Sequence, residues 1–189
     1  MLLTPTDEKL VARTLAGDRN AFRALIERHY NTIFRLCRSI LRNAEDAEDA
    51  TQEVFLRAYD ALGQFQGRGA FGAWLRRLTL NHCLNRMQSA SAKASARSFS
   101  IDLVVETLPA TFAADPEESL LRREERTRIQ QELNMLPPQQ RAAMALRLLE
   151  GLSYEEIAEM MGVPVNSVRS WLHRGRARLR EALQEVVEC

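Results

Sequence analysis

Arg169, Ser170, His173 and Arg174 stand close together near the C-terminal end of the sequence, in a segment where Val168, Leu172 and Leu179 recur at helical spacing. On a helix beginning near Val165 those apolar residues share one side, while the Arg, Ser and His positions and Ala177 fall on other faces. Arginine can donate two hydrogen bonds to a guanine edge, and serine and histidine can reach bases or phosphates, so this side suits the major groove of DNA. Trp171 lies three residues from Val168, a spacing that favours partial burial over direct base contact. Arg169, Arg174, Arg176, Arg178 and Arg180 follow one another without an intervening acid. Alone, such a run reads as a solvated face as readily as a nucleic-acid contact.

The residues upstream decide between these readings. Pro137 and Pro138 suit the first turn of a helix, where a missing amide proton costs little, and that helix runs through Met144 and Leu148 to a stop at Gly151. Ser153-Tyr-Glu-Glu156 has the form of a capping box, Ile157, Ala158 and Met161 then face inward, and Gly162 can take the left-handed conformation that ends a helix. Pro164 starts the next helix without prolonging the last. From about Leu136 to Leu183 the pattern is a helix-turn-helix, and the donors on its second helix read as a DNA-binding surface.

Two further clusters lie in the first half. Asp46, Asp49 and Glu53, spaced i, i+3 and i+7 within an acidic stretch that also holds Glu45 and Glu48, form one exposed stripe bordered by Gln52, Leu56 and Arg57. Such a stripe can meet basic residues of a partner, or it can serve only solubility and the dipole of a helix capped by Asn43. Arg77, Asn81 and Asn85 follow at i, i+4 and i+8 on a third strong helix, from about Ala70 to Met87, with Arg76 and Arg86 nearby. Asparagine can pair with the edges of unstacked bases and arginine can hold phosphates. Phe71 and Trp74 read as core.

These clusters sit on a chain of 189 residues with 46% hydrophobic and 27% charged residues, enough for one medium domain or two small ones. The net charge of +1 hides an acidic stretch and a basic one, which suggests two different partners. Asp18 caps a helix whose inner side holds Phe22, Leu25, Ile26, Ile33, Phe34, Cys37, Ile40 and Leu41, and after Asn43 the inward positions are Ala47, Ala50, Val54, Phe55, Ala58 and Leu62. From Ser89 to Pro116 the low-complexity texture reads as a flexible linker. The expected architecture is all-α: a helical bundle over 1–92, a linker over 93–116, and a helix-turn-helix domain over 117–189. No signal peptide or run of ~20 apolar residues is evident. Cys37, Cys83 and Cys189 are odd in number and unrelated in spacing, which fits a reducing cytosol rather than a disulfide framework. His29, His82 and His173 are scattered, and no nucleophile–base pair, phosphate loop or metal cluster is visible, so no catalytic residue, metal or cofactor is assigned.

Leu152 to Gly162 and Val163 to Leu179 together resemble the fourth domain of bacterial sigma factors, most of all the small extracytoplasmic-function type. Asp46 to Tyr59 is similar to the core-polymerase-binding helix of the second domain, and Phe71 to Asn81, continuing to Asn85 and Arg86, to its promoter-melting helix. The resemblance implies that Asp46, Asp49, Gln52, Glu53, Leu56 and Arg57 dock on the clamp helices of the largest polymerase subunit, with the flap as a further polymerase contact. It implies −10 contacts for Arg76, Arg77, Asn81, Asn85 and Arg86, and −35 contacts for Arg169, Ser170, Trp171, His173 and Arg174. In the family the loop corresponding to Gln64–Gly72 pockets a flipped base, at the cost of unstacking it. Many members carry aspartate at the position of Asn85, a departure that bears either on −10 preference or only on local structure. Family membership further implies a linker threading the polymerase, a cytoplasmic location, no direct membrane insertion, and an anti-sigma partner that is often membrane-anchored. A stand-alone helix-turn-helix regulator and a helical protein-interaction module are the alternative readings.

Overall fold

The computed structural model of the chain describes residues 5–41, 43–65, 70–95 and 131–187. The linker expected over 93–116 lies outside the described residues beyond Ser95, as do the helical start at Glu117, the loop glycines Gly67 and Gly69, and Cys189. The chain divides into two units, Met1–Ala90 and Ser91–Cys189. The fold is all-α.

In the first unit, α1 (Asp7–Leu15), α2 (Arg19–Ile40) and α3 (Ala44–Asp60) lead through a short 3-10 turn at Leu62–Gln64 to α4 (Phe71–Ser95). Asp18 starts α2 by accepting from the amides of Asn20 and Ala21 and also takes an ion pair from Arg13 at 2.6 Å, while Asn43 starts α3 by accepting from the Glu45 amide at 2.9 Å. Leu25, Leu36, Cys37 and Ile40 of α2 are sealed against Ala47, Ala50, Val54 and Ala58 of α3, whose small side chains let the two helices approach closely. Thr51 and Thr79 are buried too, and each hydroxyl donates back to the carbonyl four residues earlier, at Ala47 and Leu75. The Cys37 and Cys83 thiols meet in this core with sulfurs 3.7 Å apart.

α1 ties its first turn to α2: Asp7 accepts from Arg28 and lies 2.8 Å from His29 Nε2. The buried side of this nine-residue helix is Leu10, Val11 and Thr14. At its other end the unit departs from expectation. α4 does not stop at Met87 but continues to Ser95, into the segment read as linker. The alternation of serine and alanine there carries no apolar stripe, yet alanine is the strongest helix former, and an established helix propagates through such residues easily.

In the second unit, helical residues 131–135 precede α5 (Pro138–Leu149), α6 (Tyr154–Met161) and α7 (Val165–Val187). Pro138 occupies the first turn of α5, as its missing amide allows. Arg141 is 1% exposed and spends its guanidinium on the carbonyls of Leu133, Asn134 and Leu136, at 2.8 to 3.0 Å. A buried charge is tolerable there because carbonyl oxygens at a helix end carry partial negative charge. The capping box closes in both directions, Glu156 N–H to Ser153 Oγ at 3.2 Å and Ser153 N–H to Glu156 Oε2 at 2.7 Å. Gly162 adopts φ 65°, and the amides of Gly162 and Val163 return to the carbonyls of Glu159 and Ala158, turning the chain into α7 at Val165.

α7 is anchored by Val168 and Leu172 and, at buried Gly175, by direct approach of its backbone to α5. A Cβ at Gly175 would stand 2.8 Å from both Cγ and Sδ of Met144, itself 1% exposed. Gly175→Ala is therefore expected to destabilise the α5–α7 contact, since overpacking costs about 1–3 kcal/mol against a helix-propensity gain of at most about 1 kcal/mol. In a Met144→Ala background the same change should become stabilising. Hydrogen exchange of the α5 and α7 amides reads both signs, and a loss that persists in the Met144→Ala background would reject the steric account.

Candidate nucleic-acid interface

The exposed side of α7 is the complement of its anchor. Arg169, Ser170, His173 and Arg174 are exposed, whereas Trp171 is half-buried at the edge of the core. Arg169 Nη1 donates to Asn166 Oδ1 at 3.2 Å, and Arg174 Nη2 to Ser170 Oγ at 3.0 Å. These are water-accessible bonds within one helix, so they hold the donors extended along it and exchange readily for base or phosphate acceptors. The arginine run does not act as one patch. Arg178 is committed to Glu132 at 2.7 Å, and Arg176 reaches the Tyr154 hydroxyl.

Tyr154, at the start of α6, has the guanidinium carbons of Arg147 and Arg176 at 5.6 and 5.8 Å from its ring centroid. Arg147 also donates to the Leu152 carbonyl at 2.7 Å. Cation–π contacts thus link α5, α6 and α7 around the turn between α6 and α7. Tyr154 was legible only as the second letter of the capping box; its arginine neighbours lie too far along the chain for any local pattern to join them.

In the first unit, α4 exposes Arg77, Asn81 and Asn85 on one stripe, with Arg76 partly buried beside it. Phe71 is sealed, and Phe65, Phe71 and Trp74 form a cluster with centroids 5.5 to 5.8 Å apart, leaving Trp74 half-buried. Of the loop expected to approach DNA, residues 66–69 lie outside the described residues. Gly72 faces inward: a Cβ there would come within 3.2 Å of His29 Cε1, and His29 also meets Phe71 edge-on at 5.4 Å.

The acidic stripe of α3 is in place, with Asp49, Gln52, Glu53, Leu56 and Arg57 exposed and Asp46 half-buried. Arg86 is set among these acids. Its Nη2 lies 2.5 Å from Asp46 and 3.6 Å from Asp49, and its Nη1 3.6 Å from Glu53. His82, one turn earlier on α4 and 6% exposed, has Nε2 at 3.5 Å from Glu53, without a hydrogen-bond partner among the described residues. Burial lowers the His82 imidazole below its ordinary range; Arg57 adds to this, Glu53 opposes it, and Arg86 lowers it again.

A sequence model of sigma-70 region 2 matches residues 25–93, the unit of the acidic stripe and α4, and one of sigma-70 region 4 matches residues 126–179, the helix-turn-helix. The chain belongs to the sigma-70 family of RNA polymerase sigma factors. Within that family it is similar to the extracytoplasmic-function branch: it is 34% identical to the ECF sigma-E factor of Escherichia coli, over 96% of each chain. It is also 34% identical to the sigma-H factor of Pseudomonas aeruginosa, over 99% of this chain and 98% of that one. The structure of CnrH in complex with the cytosolic domain of CnrY matches at 25% identity and a TM-score of 0.64, covering 96% of this chain and 99% of that one. The sigma factor RpoE of Bartonella quintana, in complex with the anti-sigma factor NepR, shares the fold at 23% identity and a TM-score of 0.71, over 86% of this chain and 96% of that one. Sigma factors are transcription-initiation factors and not enzymes, in keeping with a site made of donors and charges. No helix among the described residues of this sigma factor is long and apolar enough to cross a membrane.

The depressed His82 imidazole makes a signed prediction. Because the folded form holds the proton less tightly than the unfolded chain, its stabilising share is complete above the ordinary value of about 6.5 and is lost as pH falls toward the folded value. Amide protection in α3 and α4 should therefore decline as pH falls below the ordinary imidazole value of about 6.5. His82→Gln should flatten that slope, and an unchanged slope in the variant would assign the effect elsewhere.

Proposed function

We propose that this sigma factor docks on core RNA polymerase through Asp46, Asp49, Gln52, Glu53, Leu56 and Arg57 of α3 and carries two promoter readers. Arg76, Arg77, Asn81 and Asn85 of α4 hold the opened −10 strand, with Arg86 at the margin of that set. Arg169, Ser170, His173 and Arg174 of α7 read the −35 element as duplex, and Trp171, half-buried, supports the helix from its edge. The observation that carries this reading is a division of labour within one chain: one unit exposes an acidic helix beside an Arg/Asn stripe, and the other exposes Arg, Ser and His on a capped recognition helix.

The chemistry of each surface supports its role. Carboxylates at i, i+3 and i+7 attract basic residues of a protein partner, asparagines accept and donate at unstacked base edges, and arginine suits guanine in the major groove. Leu56 is 67% exposed and Tyr59 46% exposed on α3, apolar area beside the acids that a protein partner can cover. The same area suits an anti-sigma factor, which by occupying α3 would exclude the polymerase. Family membership supports action in the cytoplasm, with any membrane association supplied by such a partner.

Transcription reconstituted from core polymerase, this chain and a promoter library tests the reading. The expected result is initiation at promoters sharing −10 and −35 elements. Arg169→Ala or Arg174→Ala should each cost about 1–3 kcal/mol at the −35 element, about fivefold to a hundredfold in affinity. Asn81→Ala should instead reduce strand opening while leaving polymerase affinity unchanged. A footprint by the chain alone on a symmetric site, with no promoter-specific initiation, would establish a stand-alone regulator in its place.

A further inference from the structure

Arg86 is the point where the two surfaces of the first unit meet. Its guanidinium lies within ion-pair reach of three carboxylates of α3, one in tight contact at 2.5 Å and two at 3.6 Å. It is also the immediate neighbour of Asn85, displaced by about 100° around α4. It stands about 40° beyond buried His82 on the side of α4 that faces the α3 acids, with Asn85 the nearest member of the exposed Arg77/Asn81/Asn85 stripe. None of the ion-paired side chains is sealed: Arg86 is 30% exposed, and Asp46, Asp49 and Glu53 are 47%, 59% and 49% exposed. In water such contacts exchange. One guanidinium also leaves the three carboxylates undercompensated, so the stripe keeps its pull on a second cation.

We propose that Arg86 is a shared counter-ion, partly compensating the acidic stripe in the free chain and passing to a phosphate of the promoter single strand when basic groups of the polymerase occupy that stripe. The proposal rests on reading α3 as the docking face and α4 as the strand reader. Its consequence is linkage. A basic partner on the stripe frees Arg86 for DNA, and a phosphate on Arg86 restores the full negative charge of the stripe, so each ligand strengthens the other by the same factor. Arg86 is thus a positioning residue for docking and a phosphate donor for strand capture, in alternation.

The test uses the full chain and a fluorescent single-stranded oligothymidylate, whose uniform bases isolate the phosphate contact. Asp46→Asn removes the tightest partner of Arg86. Glu48→Gln removes the same charge from an exposed position about 200° away around α3. Asp46→Asn should tighten oligonucleotide binding by about two- to fivefold more than Glu48→Gln, the range of an exposed ion pair. That excess should vanish when Arg86→Gln is added. In a second arm, Arg86→Gln should tighten binding to core polymerase at low salt.

Equal gains for the two acid variants, an excess that survives Arg86→Gln, or weaker polymerase binding by Arg86→Gln would each overturn the proposal. Should Arg86→Gln fail to fold, the comparison of Asp46→Asn with Glu48→Gln decides alone. A wild-type chain that does not bind core polymerase would overturn the docking reading itself, whereas one that binds, with equal gains in the oligonucleotide arm, would overturn only the counter-ion.

Discussion

Every surface of this molecule depends on the side of each helix that is sealed. An α-helix offers its residues in all directions, and only burial of one stripe fixes which polar groups remain outside. On α7 the sealed stripe is Val168, Leu172 and Gly175. The last has no side chain, which brings the axis of α7 close enough to α5 for Met144 to fill the gap. A rotation of α7 by one residue, about 100°, would turn Arg169 and Arg174 away from any shared exposed face. The methyl-free position therefore sets the exposed face of α7 as much as the arginines that occupy it.

The same constraint in the first unit has an electrostatic side. Alanines of α3 pack against α2 and leave the carboxylates outside, where they would repel one another if uncompensated. α4 supplies the compensation, with Arg86 among the acids and His82 beneath Glu53. Because the imidazole is buried between Arg57, Glu53 and Arg86, it favours neutrality, and the positive charge facing the stripe resides on the arginines. α3 and α4 are therefore joined by charge across their facing sides.

What the sequence disclosed was whatever depended on neighbours within a few residues. Asp18, Asn43, Ser153 with Glu156, and Gly162 each act across two to five positions, so their caps and the start of α7 at Val165 could be named directly. The acidic and Arg/Asn stripes were likewise visible as helical spacing. Contacts between distant residues were not. Arg86 meets Asp46 across 40 positions, Arg176 meets Tyr154 across 22, and Asp7 meets His29 across 22, so nothing in a local window announces them. Buried Arg141 had a weak signal, a lone charge amid Ala142, Ala143, Met144, Ala145 and Leu146, but its partners are backbone carbonyls that no residue type reveals. The extension of α4 to Ser95 shows the opposite error, in which low complexity was read as flexibility although alanine favours helix.

On the proposed reading, the modest strength of each surface accounts for the presence of two readers. The α7 surface consists of four exposed polar side chains whose present partners are mainly groups of their own helix, and the α4 stripe of three. Each bidentate base contact is worth only about 1–3 kcal/mol, so either surface alone discriminates modestly. Joined in one chain and held by the proposed docking helix, the second contact would form at an effective concentration set by the tether and the polymerase, and specificity would become the product of two weak readings. Weakness is then useful. A reader that bound tightly by itself would retain the chain on DNA without polymerase, whereas donors already lightly occupied, Arg174 by Ser170 and Arg86 by Asp46, give up a contact before gaining one. On the proposed reading, that small prior cost, repeated on both units, would favour promoter binding by the assembled enzyme over binding by the chain alone.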